Sequence, residues 1–388
     1  MNDTSKKTGM KGRITRLSIQ GFRSLAHVDN LELPQMALLI GANGAGKSNF
    51  IKFIEMLGWM LKGKQLQGYI ERNGWADNLL YMGAKKTDKI RASVTIETPK
   101  GLNEYEFVMG HLPAANTLIL IEERYRYSNS AKGTMANWYE LDSGTKEAQL
   151  PLAIKEAPTA SAKTTAKTVT HLLRQCSAYQ FHDTSPNAPI KQPWMVSDHA
   201  RLLSHGGNLA PVLLNFYNEN PRVYNTIVER IQRVLPAFDD FVLEPTGPEG
   251  KQTVALRWRG KYGDKTFGAD STSDGSLRLF CLVTLLSSPE DRLPDVIFLD
   301  EPELGLHPFA IQLVAAMMRS VSTYRQIIAS TQSVTLANEF EWHNLVVADQ
   351  EKGASTFRRL KEEEVSAWLE DYRAGDLWEK NLLGGTPE

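Results

Sequence analysis

The segment Gly41-Ala42-Asn43-Gly44-Ala45-Gly46-Lys47-Ser48 constrains the fold more than any other part of this chain. It follows the continuous apolar run Met36–Ile40, which suits a strand buried on both faces. It leads into Asn49–Met60, where Phe50, Phe53, Ile54, Leu57 and Met60 recur at three- and four-residue steps and make one helical face apolar. Strand, glycine turn and helix form the context in which G-x-x-x-x-G-K-[ST] acts as a phosphate cradle. Glycines let successive N–H groups turn into one concavity. The helix N-terminus adds partial positive charge. The candidate contacts are Gly41, Asn43, Gly44, Ala45, Gly46 and Asn49, with Lys47 on the β- and γ-phosphates and Ser48 ligating Mg²⁺. A bare glycine turn is the alternative, and the flanking strand and helix argue against it.

A second constellation is Val296-Ile297-Phe298-Leu299-Asp300-Glu301. Its apolar residues demand a central strand, and its two carboxylates fall at the C-terminal edge, where open α/β sheets bind ligands. Asp300 suits the Mg²⁺ shell, directly or through water. Glu301 suits a base that orients or deprotonates an attacking water, a role worth about 10²–10⁴-fold in rate.

The chain has 388 residues, enough for two to three domain-sized units at about 150 residues each. Lys+Arg 44 against Asp+Glu 45 leaves a net charge of -1, which excludes a protein basic all over. Cys176 and Cys281 are too few and too far apart for a zinc cluster or a disulfide framework, and read as reduced core thiols. Met1–Arg13 is polar and basic, without the apolar core of a signal peptide. The apolar run Leu277–Leu286 is broken by Arg278 and is short of a membrane span. The expected location is the cytoplasm.

Along the chain, Ile14–Gln20 alternates as a half-buried strand. Ala92–Ile96, Tyr105–Val108 and Leu118–Tyr127 predict an antiparallel meander. Glu156–Thr168 is rich in Ala, Thr, Ser and Lys and predicts a mobile loop. Asn208–Val234 predicts two helices, the second opening at Pro221. Alternating strands and helices in the last third predict a parallel α/β sheet. The expected organisation is an N-terminal lobe over 1–145, a loop over 146–170, a helical subdomain over 171–250 and a C-terminal lobe over 251–388.

With these motifs the chain resembles an ABC-type ATPase head of the RecF/SMC/OLD group, within the stand-alone AAA family ATPases of bacterial anti-phage and repair loci. Ile19-Gln20-Gly21-Phe22-Arg23-Ser24 resembles that group's opening motif, which implies that Arg23 contacts the nucleotide. Ser273-Asp274-Gly275-Ser276-Leu277-Arg278 resembles its signature motif. That implies that Ser273 and Gly275 bind the γ-phosphate of ATP held by a second copy. Leu304-Gly305-Leu306-His307-Pro308 resembles the D-loop, and Ile328-Ala329-Ser330-Thr331-Gln332-Ser333 the switch strand. Tyr179–Ser185 and the tail Tyr372–Trp378 extend the resemblance.

The chain departs from the pattern at three points. Gln332 stands where many relatives have His, and a glutamine can hydrogen-bond but takes no proton near neutral pH. Thr272 stands where the signature has Leu, and the Q-loop glutamine is either Gln175 or Gln180. His182 and Asp183 read as a surface turn rather than a metal pair. Trp194, Trp258, Trp342 and Trp368 read as core or interface anchors. Arg358 and Arg359 read as a solvated face.

The resemblance implies an ATPase using ATP and Mg²⁺ whose copies dimerise around nucleotide, with Lys47, Glu301 and Gln332 in the chemistry. It further implies control of a separately encoded effector, a nuclease or toxin, in anti-phage defence. The alternative is a RecF-like repair ATPase that binds DNA in an ATP-dependent way. A transporter ATPase is disfavoured by the Phe22-Arg23-Ser24 opening.

Overall fold

A computed structural model describes residues 12–63, 65–129, 133–176, 178–263, 265–366, 368 and 372–385. Its centre is the strand Met36–Ile40 (β3), buried along its whole length as an all-apolar strand demands. On one side β3 pairs in parallel with Gln326–Thr331, that strand with Val296–Asp300, and Val296–Asp300 in turn with the short strand Ala178–Tyr179. On the other side it pairs with Leu345–Glu351, and the antiparallel strand Ala354–Arg359 closes that edge. Successive residues of the parallel strands serve opposite cores. Leu38, Ile40, Ile297 and Leu299 join a core with the C-terminal helices. Ala37, Leu39, Val296 and Phe298 join one with the N-terminal lobe.

The N-terminal lobe is the expected antiparallel meander. Arg13–Phe22 (β1), Leu25–Glu32 (β2), Lys89–Thr98 (β4), Gly101–Leu112 (β5) and Thr117–Asn129 (β6) pair in the order β2-β1-β4-β5-β6. Its inner face packs on the helix Lys47–Leu61 (α1), with Phe22 edge-on to Phe53 at 5.4 Å. The buried amide of Gln326 ties the two sheets together. It accepts from Ile14 N at 2.8 Å and donates to Ile14 O at 2.7 Å.

The helices Leu209–Glu219 and Pro221–Val234 form as expected, and with Phe238–Phe241 and Arg257–Gly260 they pack on the helix Asp274–Ser287. Tyr224, Phe238 and Trp258 bury their rings there. Cys176 and Cys281 are free, buried thiols.

The segment Glu156–Thr168 departs from the predicted loop. Leu150–Glu156 and Ala160–Arg174 are helices. Thr159 caps the second, its Oγ1 accepting from Ala162 N at 3.1 Å. Ala162, Ala166, Val169 and Leu173 face the core at steps of four, three and four residues. Within the stretch read as a loop the buried positions are the small Ala162, Thr165 and Ala166, so composition masked the period.

Candidate functional site

The parallel sheet delivers its chemistry to one edge, since β3, Val296–Asp300, Gln326–Thr331 and Ala178–Tyr179 all point their carboxyl ends the same way. This is the edge at which open α/β sheets take ligands. The turn after β3 wraps to Gly46, which stands at φ 99° as the N-cap of α1. A Cβ on Gly46 would lie 1.9 Å from Ser355 Oγ, so glycine is required by backbone shape and by space alike. Ser355 Oγ also meets Ser24 Oγ at 2.7 Å, and Asn49 Nδ2 donates to Ser24 Oγ at 2.8 Å. The cradle is thus knit to the opening motif and to the last strand pair.

Lys47 is buried, and its Nζ donates to Gly41 O at 2.6 Å and Ala42 O at 2.9 Å. Burial lowers its pKa, while Glu301, Asp300 and Glu303 pull it back up. The ammonium therefore already sits in a field shared with the acidic strand end. Ser48 is exposed at the start of α1, its hydroxyl open to a ligand. Arg23, next to Ser24 of this network, donates through Nη2 to Asn73 Oδ1 at 3.2 Å, and its Nε is buried without a hydrogen-bond partner among the described residues.

Asp300 is gripped from three sides. Gln180 Nε2 donates to Oδ2 at 2.9 Å, Ser330 Oγ donates to Oδ1, and His182 Nε2 lies 2.9 Å from the main-chain oxygen. Of the two glutamine candidates, the structure brings Gln180 to the site. Gln175 instead meets His171 and accepts from Arg201 Nη1 at 2.8 Å. Glu301 follows in the left-handed region at φ 43°, held by its N–H to Ser330 O at 3.1 Å. Gln332 Nε2 donates to Glu301 Oε1, so the glutamine at the switch position reaches the candidate base. Glu303, which the motif reading passed over, accepts from Thr331 Oγ1 at 2.5 Å and Gln332 N at 3.2 Å. Burial raises its pKa, against its hydrogen bonds and with the help of Glu301.

Ser48 and Asp300 are hard oxygen donors, and no cluster of three or more metal-binding side chains exists among the described residues. That set fits Mg²⁺, which needs one or two protein ligands beside substrate phosphates and water. It does not fit a metal caged wholly by protein.

Ser273 caps the helix Asp274–Ser287, its Oγ accepting from Ser276 N at 3.2 Å. Gly275 faces the turn after Glu301, where a Cβ would lie 2.3 Å from Gly305 O. Arg278 staples its helix to two segments, donating to Phe181 O at 3.1 Å and His182 O at 3.2 Å in one and to Leu304 O at 3.0 Å in the other. The signature helix is thereby bound to both the Gln180 segment and the turn beyond Glu301. Arg358 is exposed as expected and pairs with Glu364 at 2.7 Å, but Arg359 is half-buried, with Nη2 donating to His343 O. Asp183 folds back on Ser185 in an exposed turn, while His182 is half-buried against the Asp300 main chain.

Residues 178–338 match the family model described as "AAA domain, putative AbiEii toxin, Type IV TA system". No curated protein sequence matches the chain significantly. Among solved structures it is similar to an SMC head bound to the C-terminal winged-helix domain of ScpA, at TM-score 0.54 and 15% identity over 91% of this chain and 99% of that one. It is likewise similar to a Pyrococcus furiosus SMC head with an extended coiled coil bound to the C-terminal domain of ScpA, at TM-score 0.53 and 14% identity over 93% and 99%. The fold is that of these SMC heads, as the motifs implied. Among the described residues no helix is long and apolar enough to cross a membrane.

Proposed function

We propose that the chain is an ATP-hydrolysing head that closes on a second copy around two ATP·Mg²⁺ and thereby controls a separately encoded effector in bacterial anti-phage defence. One observation carries the ATPase reading: the phosphate cradle, the Asp300–Glu301 pair, Gln180 and Gln332 meet at one sheet edge. A nucleotide in the cradle exchanges the Gly41 and Ala42 carbonyls on Lys47 for its phosphate oxygens. Ser48 and Asp300 would hold Mg²⁺, which would supply charge neutralisation at the terminal phosphates. Glu301 receives a proton from the attacking water, with its carboxylate aimed by the Gln332 amide. Ser273 and Gly275 of the second copy grip the γ-phosphate from the far side. That gives the closed dimer the differential affinity that a switch requires.

The effector half of the reading is supported by the toxin–antitoxin description of the matched family and by the partner-bound state of the similar SMC heads. The test measures phosphate release and effector activity with the wild-type chain, Lys47→Ala and Glu301→Gln, each with and without the product of the neighbouring reading frame. The reading expects turnover in the wild type alone and effector activity that changes with the nucleotide state. Effector activity indifferent to both ATP and Glu301→Gln would refute the regulatory half.

A further inference from the structure

Glu303 sits at the centre of a relay that the roles above leave unexplained. Its Oε1 accepts from the Thr331 hydroxyl at 2.5 Å and from the Gln332 main-chain N–H at 3.2 Å. Gln332 in turn donates through Nε2 to Glu301 Oε1. The chain from Glu301 to Glu303 is folded tightly by Leu304 N to Glu301 O at 3.1 Å and Leu306 N to Glu303 O at 3.0 Å. A closed loop results, running Glu301, Gln332, Glu303 and back along the main chain. It joins the exits of two neighbouring parallel strands.

Glu303 Oε2 is buried and has no hydrogen-bond partner among the described residues. A carboxylate kept in that condition is costly, so its retention calls for a compensating gain. The gain visible in the geometry is a fixed Gln332 backbone. Without it the amide swings freely about its own torsions, and Glu301 loses the donor that orients it. The next residues, Leu304 and Gly305, touch Arg278 and Gly275 of the signature helix, so the same carboxylate ties the base to that helix.

We infer that Glu303 is a positioning residue for the hydrolysis step: it anchors Thr331 and Gln332 so that the Gln332 amide aims Glu301, and it links that aim to the turn abutting the signature helix. The inference rests on the ATPase reading above, and wild-type turnover of Mg-ATP decides that reading separately. Steady-state phosphate release is then compared for Glu303→Ala, Glu303→Gln and Thr331→Val, each checked for a native thermal melt.

Glu303→Ala should lower kcat about 10- to 100-fold, the usual cost of a misplaced reacting group. KM should stay within about threefold, because nucleotide binding is untouched. Glu303→Gln keeps an accepting oxygen and should recover most of the loss. Thr331→Val removes the hydroxyl that donates to Glu303 and accepts from Ser333 N at 2.9 Å, and leaves Glu303 itself in place, so it decides the matter should the alanine variant fail to fold, with a smaller loss of kcat expected. In a Gln332→Ala background, Glu303→Ala should lower kcat no further, since both act through one unit. Unchanged kcat in Glu303→Ala and Thr331→Val overturns the inference. So does a Glu303→Gln variant as inactive as Glu303→Ala, which would mean that Glu303 itself handles the proton.

Discussion

Glu301 pays a backbone cost to stand where it does: a non-glycine residue in the left-handed region costs about 1–2 kcal/mol. Its N–H bond to Ser330 and the Gln332 amide hold the carboxylate at the sheet edge. Glu301→Gln keeps the shape and removes the proposed base. Turnover should fall about 10²–10⁴-fold while ATP binding, read by calorimetry, persists. Unaltered hydrolysis would remove Glu301 from the chemistry. Gly275 gives a prediction of a different kind. Alanine normally improves a helix by about 1 kcal/mol over glycine, but here its Cβ would enter the Gly305 carbonyl. Gly275→Ala should therefore destabilise the fold by about 1–3 kcal/mol in urea titrations, as overpacking does. A neutral or stabilising result would show that the signature helix and the turn after Glu301 are not rigidly docked. The motif reading pointed to Lys47, Asp300 and Glu301 because each sits in a contiguous pattern. It could not choose Gln180 over Gln175, because that choice follows from Ala178–Tyr179 pairing with Val296–Asp300, far away in sequence. Glu303 escaped notice for the same reason: its partners Thr331 and Gln332 come from another strand.

At the level of elements, hydrophobic period decided most of the fold correctly. β3, α1, the meander and the helix Pro221–Val234 all carry large apolar side chains at strand or helix spacing. The helix Ala160–Arg174 shows where that signal fades. Its buried stripe opens on small residues, Ala162, Thr165 and Ala166, before Val169, Leu172 and Leu173, and Thr165 hides its hydroxyl by bonding back one turn to Ser161 O at 3.1 Å. A helix whose first turns bury so little apolar area leans on its cap. Thr159→Ala should cost about 0.5–2 kcal/mol in chemical denaturation, with Thr159→Asn restoring most of it. An alanine variant as stable as the wild type would mean that packing alone holds this helix in place.

Over the whole molecule, two cores on opposite faces of one parallel sheet leave its carboxyl edge as the meeting point of segments distant in sequence. Arg278 binds the signature helix to that edge through main-chain oxygens of two separate segments, so a load on Ser273 is passed to the strand ends that carry Gln180 and Glu301. Closure by a second copy would use this wiring, and it asks little of overall charge, which is near balance at -1. Sedimentation of Glu301→Gln protein with saturating Mg-ATP tests the arrangement most directly. The account predicts a particle of twice the monomer mass that reverts to monomer without nucleotide. It also predicts that adding Ser273→Arg abolishes the dimer while each chain still binds ATP. A monomer under saturating Mg-ATP, or a dimer indifferent to Ser273→Arg, would contradict it.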